Sequence, residues 1–244
     1  MFSKLFSRKK DKSPKYRIED VPTIVTGQQA SMYNRLKDNI IYFNDNGENK
    51  VFQIESSIAG EGKSTVVVNL ASSLARNNKK VLVVDLDFRN PKMHKSFKVL
   101  NTNGIAEYMI NECDIDKLIK HSEFGVDVVN RGKTTQNPSI IFTSKKFKEL
   151  IEKLRTMYDI ILFDCAPILQ VSEYMHIVKH ADAVIMVVAI DMVKKSQLKD
   201  AVELLKVSGA NIFGTVMTFE KGKNIPYYNK YYYGKRYGNY DVER

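Results

Sequence analysis

The chain has 244 residues and a formal net charge of +10, with 43% hydrophobic and 27% charged residues, which is ordinary for one soluble α/β domain. Its longest apolar stretch, residues 183–190, falls far short of the ~20 residues that a membrane-spanning helix needs. The amino terminus carries charge but lacks the apolar core of a secretion signal, so a cytoplasmic protein is expected. Cys113 and Cys165 lie far apart without CxxC spacing, so they indicate neither a metal site nor a disulfide framework.

A flexible basic arm is predicted at residues 1–20. Its first 17 positions hold seven basic residues against one acid, Asp11. These charges can serve as a solvating tail or can attract anionic lipid headgroups, where each basic residue contributes about 1 kcal/mol near the surface. Both interpretations stay open. The basic residues are Lys4, Arg8, Lys9, Lys10, Lys12, Lys15 and Arg17.

Helical and strand patterns alternate through a domain predicted to span residues 21–220. Leu36, Ile40 and Phe43 form one apolar face, which predicts a helix over 31–43. Short apolar runs between polar segments predict buried strands. These strands are predicted at 51–56, 80–87, 159–164, 183–190 and 211–217.

Further helices are predicted between these strands. One begins at Lys63, another covers 143–158, and a third covers 196–207 with Ser196 as its N-cap. Continuous Val-rich and Ile-rich strands separated by helices indicate a sheet that is covered on both faces. The predicted fold is therefore α/β, with a doubly wound, mostly parallel sheet of the P-loop NTPase type.

A phosphate-binding loop is predicted from SSIAGEGKST, residues 56–65, because this stretch stands after a strand and before a helix. Ser57 replaces the first glycine of the usual GxxxxGK[ST] pattern, but Gly60 and Gly62 still let the backbone turn its N–H groups toward phosphate oxygens. Lys63 is predicted to reach the β and γ phosphates of ATP, and Ser64 to place its hydroxyl on Mg²⁺. The predicted nucleotide-binding residues are Ala59, Gly60, Glu61, Gly62, Lys63, Ser64 and Thr65.

Three aspartates lie at the ends of predicted strands. Asp85 and Asp87 are two residues apart and project to the same side, which indicates a nearby cation or basic partner. Asp164 ends the strand IILFD and suits a carboxylate that organises Mg²⁺. An alternative stays open, in which Asp85 and Asp87 cap the turn that follows them. Arg89 is expected to pair with these acids or to face a partner.

A flexible tyrosine-rich tail is predicted at residues 221–244. Residues 226–240 contain seven tyrosines and no aliphatic residue, so burial offers little to offset the entropy of ordering this segment. These tyrosines are Tyr227, Tyr228, Tyr231, Tyr232, Tyr233, Tyr237 and Tyr240.

The motifs SSIAGEGKST, VLVVDLDFRNP and IILFDCAP together resemble the Walker A, Walker A′ and Walker B set of the bacterial tyrosine kinases, whose tyrosine-rich carboxyl terminus this chain also shares. The resemblance implies that Lys63 and Ser64 bind ATP with Mg²⁺ and that Asp85 accepts the proton of the tyrosine hydroxyl. It also implies that Asp87 and Asp164 organise Mg²⁺. Lys63, Asp85 and Asp87 are thus the implied catalytic residues, and Ser64, Asp87 and Asp164 are the implied metal ligands.

The same resemblance, closest to the stand-alone cytoplasmic kinases of capsule or exopolysaccharide synthesis, implies a function and partners. The expected enzyme is a non-specific protein-tyrosine kinase that transfers the γ-phosphate of ATP to tail tyrosines of neighbouring copies and regulates polymer synthesis and export. Two partners are expected. One is the cytoplasmic segment of a transmembrane activator of the polysaccharide co-polymerase type, and the other is a cognate tyrosine phosphatase. The activator is expected to recruit the protein from the cytoplasm to the inner face of the plasma membrane.

Some positions depart from the family pattern. Ala59 replaces a common proline, and Thr218 replaces an asparagine that often lies near the nucleotide base. Ser31, Asn34 and Lys37 replace the E-x-x-R-x-x-R pattern of the oligomerisation helix and keep only one charge. Whether the chain forms homo-oligomers is therefore left open.

Two other functions are considered. A partition or Min-type ATPase shares this fold, but such proteins carry an early lysine in the loop where this chain has Ile58, and they lack a tyrosine tail. A non-catalytic nucleic-acid-binding protein could stack bases on tyrosines that alternate with Lys230, Lys235 and Arg236. Nucleic-acid binding is disfavoured because a segment full of acceptor tyrosines and a phosphotransferase site support each other.

Overall fold

A computed structural model describes residues 21–219 apart from residues 27, 45 and 134–136. The predicted arm at 1–20 and the tyrosine-rich tail at 221–244 lie outside the described residues. Within the described ranges, no helix is both long enough and apolar enough to cross a membrane.

The described part of the chain contains one seven-stranded sheet with the strand order β3-β4-β2-β5-β1-β6-β7. All neighbouring strands are parallel except β3, which pairs antiparallel with β4 at one edge. Parallel pairing brings the carboxyl ends of six strands to the same side of the sheet. The strands are Val51–Ser56 (β1), Val81–Asp85 (β2), Ile119–His121 (β3), Asp127–Val129 (β4), Ile160–Asp164 (β5), Ala183–Ala189 (β6) and Ile212–Thr218 (β7).

Helices cover both faces of this sheet. They are Gln28–Phe43 (α1), Lys63–Ala75 (α2), Met93–Ser96 (α3), Ile105–Met109 (α4), Ile115–Leu118 (α5), Pro138–Thr143 (α6), Lys145–Met157 (α7), Tyr174–Ile177 (α8) and Lys195–Val207 (α9). Helices α1 and α2 pack on one face, where alternate strand residues such as Phe52 and Ile54 are buried. Helices α7 and α9 pack on the opposite face, which receives the intervening residues. A mostly parallel sheet with helices packed on both faces confirms the predicted doubly wound fold class.

The five predicted strands are confirmed, each within two residues of its predicted bounds. The short strands β3 and β4 were not predicted, because three residues carry too little periodicity to separate a strand from a loop. Cys113 and Cys165 are both free and buried, so neither cysteine forms a disulfide within the described chain.

Two helix predictions need correction. The helix predicted at 143–158 is present as α7 but begins at Lys145, because Ser144 adopts an extended conformation and its Oγ accepts a hydrogen bond from the Phe147 N–H at 3.1 Å as the N-cap of α7. Ser196 is not an N-cap, because α9 begins one residue earlier. The Gln197 side chain accepts a hydrogen bond from the Lys194 N–H at 3.0 Å and fixes that earlier start.

An aromatic cluster joins α1 to the sheet. Phe52 in β1 is fully buried, and its ring lies 6.1 Å from that of Phe43 in α1 and 6.2 Å from that of Phe213 in β7, both in edge-to-face geometry. Such pairs add stability beyond the area that they bury. The cluster thus fixes α1 over the central strand and the edge strand together.

We predict that Phe52→Ala lowers the free energy of unfolding by roughly 3–5 kcal/mol, since it removes buried area and leaves a cavity among aromatic neighbours. Urea denaturation followed by circular dichroism measures this change. Tyr42→Ala in α1 is the control, because Tyr42 is 85% exposed and its loss should change stability by no more than about 0.5 kcal/mol. Equal losses for the two variants would contradict the role of the cluster.

Candidate active site

The phosphate loop connects β1 to α2 at the carboxyl edge of the sheet. Gly60 and Gly62 have φ values of +89° and +86°, a conformation that side chains with a Cβ disfavour. A Cβ on Gly60 would also lie 2.8 Å from Cε of Met192. The two glycines are therefore required by the shape of the loop as well as by its predicted approach to phosphate.

Glu61 ties the phosphate loop to the sheet with its side chain. This residue is 1% exposed, and its two carboxylate oxygens accept hydrogen bonds from the N–H of Ile58 at 2.8 Å and from the N–H of Ala189 at 3.1 Å. The hydroxyl of Thr218, at the end of β7, donates to the Glu61 carbonyl at 2.7 Å. The loop is thus braced against β6 and β7, a role for Glu61 and Thr218 that the sequence pattern did not indicate.

Lys63 and Ser64 at the start of α2 both bind Asp164 at the end of β5. The Lys63 ammonium forms a buried ion pair with one carboxylate oxygen of Asp164, and the Ser64 hydroxyl donates to the other at 2.9 Å. Burial opposes the charge of Lys63, but the carboxylates of Asp164 and Asp87 outweigh it and raise the Lys63 pKa. Lys63 is therefore a permanent cation at the mouth of the loop.

Asp85 and Asp87 lie beside this ion pair. Asp85 ends β2 directly opposite Asp164 in the parallel register, so the sheet itself brings their carboxylates together. Burial and the nearby Asp164 raise the pKa of Asp85 well above its usual value. Asp87 is near enough to Lys63 to help raise the lysine pKa. The fold thus brings the carboxylates of Asp85, Asp87 and Asp164 to one place beside Lys63.

The turn-capping alternative for these two aspartates is also present in the structure. Asp85 accepts hydrogen bonds from the N–H groups of Lys92 and Met93, each at 3.1 Å. Asp87 accepts from the N–H groups of Arg89 at 3.1 Å and Asn90 at 2.9 Å. Both carboxylates therefore hold the turn that follows β2 while they face the Lys63 cation.

Among the described residues, the Arg89 side chain pairs with Glu173 and not with Asp85 or Asp87, which was one of the two expectations for it. Its guanidinium lies 3.7 Å from the Glu173 carboxylate, and its side chain is 62% exposed. Asp87 instead receives the backbone N–H of Arg89, because the tight turn directs the side chain outward. Arg89 thus forms part of the rim of the site.

A buried polar group on the central strand was missed by the sequence reasoning. Gln53 and Glu55 are fully buried on one face of β1, and the Gln53 amide donates to Glu55 Oε1 at 2.7 Å. Burial raises the pKa of Glu55 from its ordinary value of 4.5 to about 8, although Gln53 and Lys63 partly offset that effect. The only signal in the sequence was an acid inside the apolar run VFQIES.

Two of the three α1 positions that depart from the family pattern make contacts within the chain. Asn34 in α1 accepts a hydrogen bond from the Ser73 hydroxyl of α2 at 2.7 Å. Lys37 lies 3.1 Å from Asp38 in the same helix. At least two of the three positions thus support packing or surface charge within one copy.

The donor set of the site fits a magnesium-bound nucleotide. Ser64, Asp87 and Asp164 offer only hard oxygen atoms, which Mg²⁺ prefers, and Mg²⁺ commonly takes one or two carboxylates together with substrate phosphates. Among the described residues, no group of three or more His, Cys, Asp or Glu side chains is arranged to hold a metal ion by itself. The fold and the phosphate loop define a P-loop nucleotide-binding protein.

Comparison with known proteins identifies the family. Residues 49–208 match the AAA domain family. The chain is 31% identical over 209 residues to the tyrosine-protein kinase YwqD of Bacillus subtilis (strain 168), which covers 85% of this chain and 87% of that protein. It is 31% identical over 228 residues to the putative tyrosine-protein kinase CapB of Staphylococcus aureus, which covers 91% of this chain and 96% of that protein.

A solved structure agrees with these relatives. The kinase domain of the Escherichia coli tyrosine kinase ETK matches with a TM-score of 0.74 at 25% identity, over 80% of this chain and 78% of that one. The chain therefore belongs to the bacterial tyrosine-protein kinase family, and the resemblance carried by its three motifs is confirmed.

We predict that the free energy of unfolding falls as the pH rises, because Glu55 is protonated in the folded state. The folded state keeps the Glu55 proton up to about pH 8, whereas the unfolded state releases it near pH 4.5. The stability that the folded protein gains from holding this proton is therefore complete below about pH 4.5 and is lost as the pH rises through 8. Relative to Glu55→Gln, the free energy of unfolding should fall by up to about 1.4 kcal/mol for each pH unit inside this window.

Urea titrations of the wild type and Glu55→Gln between pH 5 and pH 8 measure the difference in slope. Glu123→Gln is the control, since the Glu123 side chain is 59% exposed and should leave the slope unchanged. Parallel stability curves for the wild type and Glu55→Gln would show that Glu55 is ionised in the folded protein.

Proposed function

We propose that this protein is an autokinase that transfers the γ-phosphate of ATP to the tyrosines of residues 221–244 on a neighbouring copy. One observation carries the proposal: Lys63, Ser64 and Asp164 meet beside Asp85 and Asp87 at one edge of the sheet. A phosphate loop, a cation and paired carboxylates are the parts that phosphoryl transfer requires. The family of the chain and its seven clustered tyrosines select tyrosine as the acceptor.

The nucleotide binds to the loop from Ala59 to Thr65 in this proposal. Backbone N–H groups around Gly60 and Gly62 face the phosphate oxygens, and the positive end of the α2 dipole adds attraction. Lys63 exchanges part of its contact with Asp164 for the β and γ phosphates. Ser64, Asp87 and Asp164 hold Mg²⁺, which neutralises phosphate charge when it is bound.

The acceptor hydroxyl gives up a proton during transfer. A phenol with a pKa near ~10 is mostly neutral at cytoplasmic pH, so a carboxylate that accepts its proton helps the reaction. We assign that role to Asp85, whose raised pKa makes it a stronger base. Because Asp85 is fully buried under the N–H groups of Lys92 and Met93, this turn must open for the phenol to reach the carboxylate.

In this proposal, ATP donates its γ-phosphoryl group to the tyrosine hydroxyl. The bond between the γ-phosphorus and the bridging oxygen breaks, a new bond forms to the tyrosine oxygen, and ADP leaves with the bridging electrons. The phenolic proton moves to Asp85. Positioning and charge neutralisation by Lys63 supply most of the acceleration.

The biological setting of this proposal rests on family resemblance. We place the protein in the regulation of capsule or exopolysaccharide synthesis and export, with a transmembrane activator that recruits it to the inner face of the plasma membrane. A cognate tyrosine phosphatase reverses the modification. Each phosphate adds about −1.5 to −2 charges next to the basic residues of the tail, which changes its attraction for the activator and the membrane.

We predict that the intact chain forms phosphotyrosine with ATP and Mg²⁺, and that Lys63→Ala lowers the rate by about 100-fold or more. Anti-phosphotyrosine immunoblots and mass spectrometry measure the product. Lys98→Ala is the matched control, because the Lys98 side chain is 69% exposed and lies outside the site. A chain that ends at Ile225 should form no phosphotyrosine on itself.

A mixture of a donor that lacks the tail tyrosines and an acceptor that lacks the catalytic lysine tests transfer between copies. The chain ending at Ile225 keeps the site, so it should phosphorylate full-length Lys63→Ala. If the intact chain is labelled but this mixture is not, the transfer occurs within one copy. If no sample forms phosphotyrosine while ATP is still hydrolysed in a Lys63-dependent manner, the protein is a partition-type ATPase instead.

We further predict that the basic residues of positions 1–17 bind anionic lipid. Co-sedimentation with phosphatidylglycerol-rich vesicles should weaken by about tenfold or more when residues 1–17 are deleted, and phosphatidylcholine vesicles should bind neither form. Equal sedimentation of the full chain and the shortened chain would contradict lipid binding by these residues. Their charges would then only solvate the segment.

A further inference from the structure

The turn that follows β2, residues 86–93, is held from the side of β4 by Arg131. This half-buried arginine lies just after the last residue of β4, and its Nη1 donates a hydrogen bond to the carbonyl oxygen of Phe88 at 2.8 Å. The guanidinium is always charged, so this bond is stronger than one between neutral groups. Arg131 therefore fixes the residue that directly follows Asp87.

The segment that carries Arg131 is itself firmly held. The Arg131 carbonyl accepts a hydrogen bond from the N–H of Ala106 in α4 at 3.0 Å. Glu107, which is 5% exposed, accepts hydrogen bonds from the N–H groups of Gly104 and Lys133, each at 3.1 Å. These contacts join both sides of Arg131 to the start of α4. A side chain on such a base is preorganised to act as a fixed point for the turn.

The first part of the turn, residues 86–88, is tied to both strands that flank β2. The N–H of Leu86 donates to the carbonyl of Asp164 at the end of β5, at 2.8 Å. The contact of Arg131 with Phe88 supplies the corresponding tie to the segment after β4. Because β2 lies between β4 and β5 in the sheet, these two bonds hold the chain from opposite sides. Asp87 lies between the two residues that are held.

The second part of the turn, residues 90–93, is bound to carboxylates. The N–H groups of Lys92 and Met93 donate to Asp85, and the N–H of Asn90 donates to Asp87. The bonds to Asp85 are those that must break when the turn opens for the phenol in the proposed reaction. Opening therefore requires that the second part of the turn moves while the first part keeps its place.

We propose that Arg131 is a positioning residue that keeps Asp87 at the metal site while residues 90–93 move away from Asp85. This inference rests on the proposed phosphotransfer function, in which Asp87 helps to hold Mg²⁺. Arg131 acts through Phe88 and Asp87 rather than on the nucleotide or the phenol. Without its bond to Phe88, the first part of the turn follows the second, and Asp87 leaves the position in which it binds the metal ion.

The magnesium dependence of nucleotide binding tests this role in the full chain. A fluorescent ADP analogue is the probe, and its affinity is measured over a range of Mg²⁺ concentrations. Arg131→Ala should raise the Mg²⁺ concentration needed for half of the gain in affinity by about tenfold, and should change the affinity without Mg²⁺ by less than about twofold. Arg131→Lys keeps a charged N–H donor, so its Mg²⁺ requirement should rise by no more than about threefold.

Arg76→Ala is the matched control for these titrations. Arg76 is an exposed arginine at the end of α2, so its loss should leave the nucleotide affinity and the Mg²⁺ requirement unchanged. If Arg131→Ala weakened nucleotide binding equally with and without Mg²⁺, it would act on the phosphate loop as a whole. That result would overturn the assigned role.

Hydrogen exchange of the backbone amides reports on the two parts of the turn separately. In the wild type, the N–H groups of Leu86 and Phe88 should exchange at least about tenfold more slowly than those of Lys92 and Met93, because the first part stays bound when the second part opens. In Arg131→Ala this difference should largely disappear. Equal exchange of both parts in the wild type would contradict the division of the turn.

A double-mutant cycle shows whether Arg131 acts through Asp87. Asp87→Asn keeps a side-chain oxygen that can accept hydrogen bonds from the turn, but it removes the charge that attracts Mg²⁺. In this background, Arg131→Ala should change the Mg²⁺ requirement by less than about twofold, because the interaction that Arg131 supports is already lost. A further rise as large as that seen in the wild-type background would overturn the proposal.

The same measurements separate this proposal from the kinase activity. If Arg131→Ala raises the Mg²⁺ requirement through Asp87 but the wild type never forms phosphotyrosine, the positioning role stands and the kinase proposal fails. If the wild type forms phosphotyrosine and Arg131→Ala needs no more Mg²⁺ than the wild type, the positioning role fails alone. If Mg²⁺ has no effect on the nucleotide affinity of the wild type, the proposed metal site and the positioning role fail together.

Discussion

The buried ion pair between Lys63 and Asp164 is the interaction on which the rest of the site depends. Lys63 is 6% exposed and Asp164 is 1% exposed, so each charge would be strongly unfavourable in this position without the other. The pair joins the first residue of α2 to the last residue of β5 and thereby fixes the phosphate loop against the sheet. It also supplies the positive charge that lets Asp87 lie close by. Asp85, directly opposite Asp164 in the register, is accommodated differently, with a raised pKa and hydrogen bonds from the following turn.

This arrangement means that a nucleotide enters a site whose groups are already engaged. Asp164 binds both Lys63 and Ser64, and Asp85 and Asp87 bind the N–H groups of the turn after β2. In the proposed nucleotide complex, phosphate oxygens would replace the Asp164 carboxylate as acceptors for the Lys63 ammonium, so this charge would not have to be exposed to water during the exchange. The turn after β2 carries Arg89 as well, so the proposed proton acceptor and the charged rim of the site share one segment of backbone.

The parts of this structure that the sequence could predict are those fixed by local patterns. Apolar runs identify the central strands because both faces of the sheet are covered, and the glycine spacing identifies the loop because glycine adopts the backbone angles of positions 60 and 62 more readily than any residue with a Cβ. The parallel register then makes the meeting of Asp85 with Asp164 predictable. The brace formed by Glu61, Ala189 and Thr218 joins residues up to 157 positions apart, and the burial of Glu55 depends on neighbours from other strands. No local pattern encodes such contacts. Ser144 and Gln197 show the same limit at helix ends, where one side-chain hydrogen bond decides the boundary.

The contact between Thr218 and Glu61 has a consequence for the reach of the tyrosine segment. It holds the end of β7 against the phosphate loop, so all seven tyrosines extend from one fixed origin next to Gly62. Covalent geometry then limits how far each can travel, whatever conformation the intervening chain adopts. Tyr227, eight residues after Phe219, can lie no more than roughly 29 Å from it, whereas Tyr240, 21 residues on, can lie up to roughly 76 Å away. Under the proposed transfer between copies, the tyrosines therefore form a graded molecular ruler, and the distance between two copies limits which of them can reach the neighbouring site.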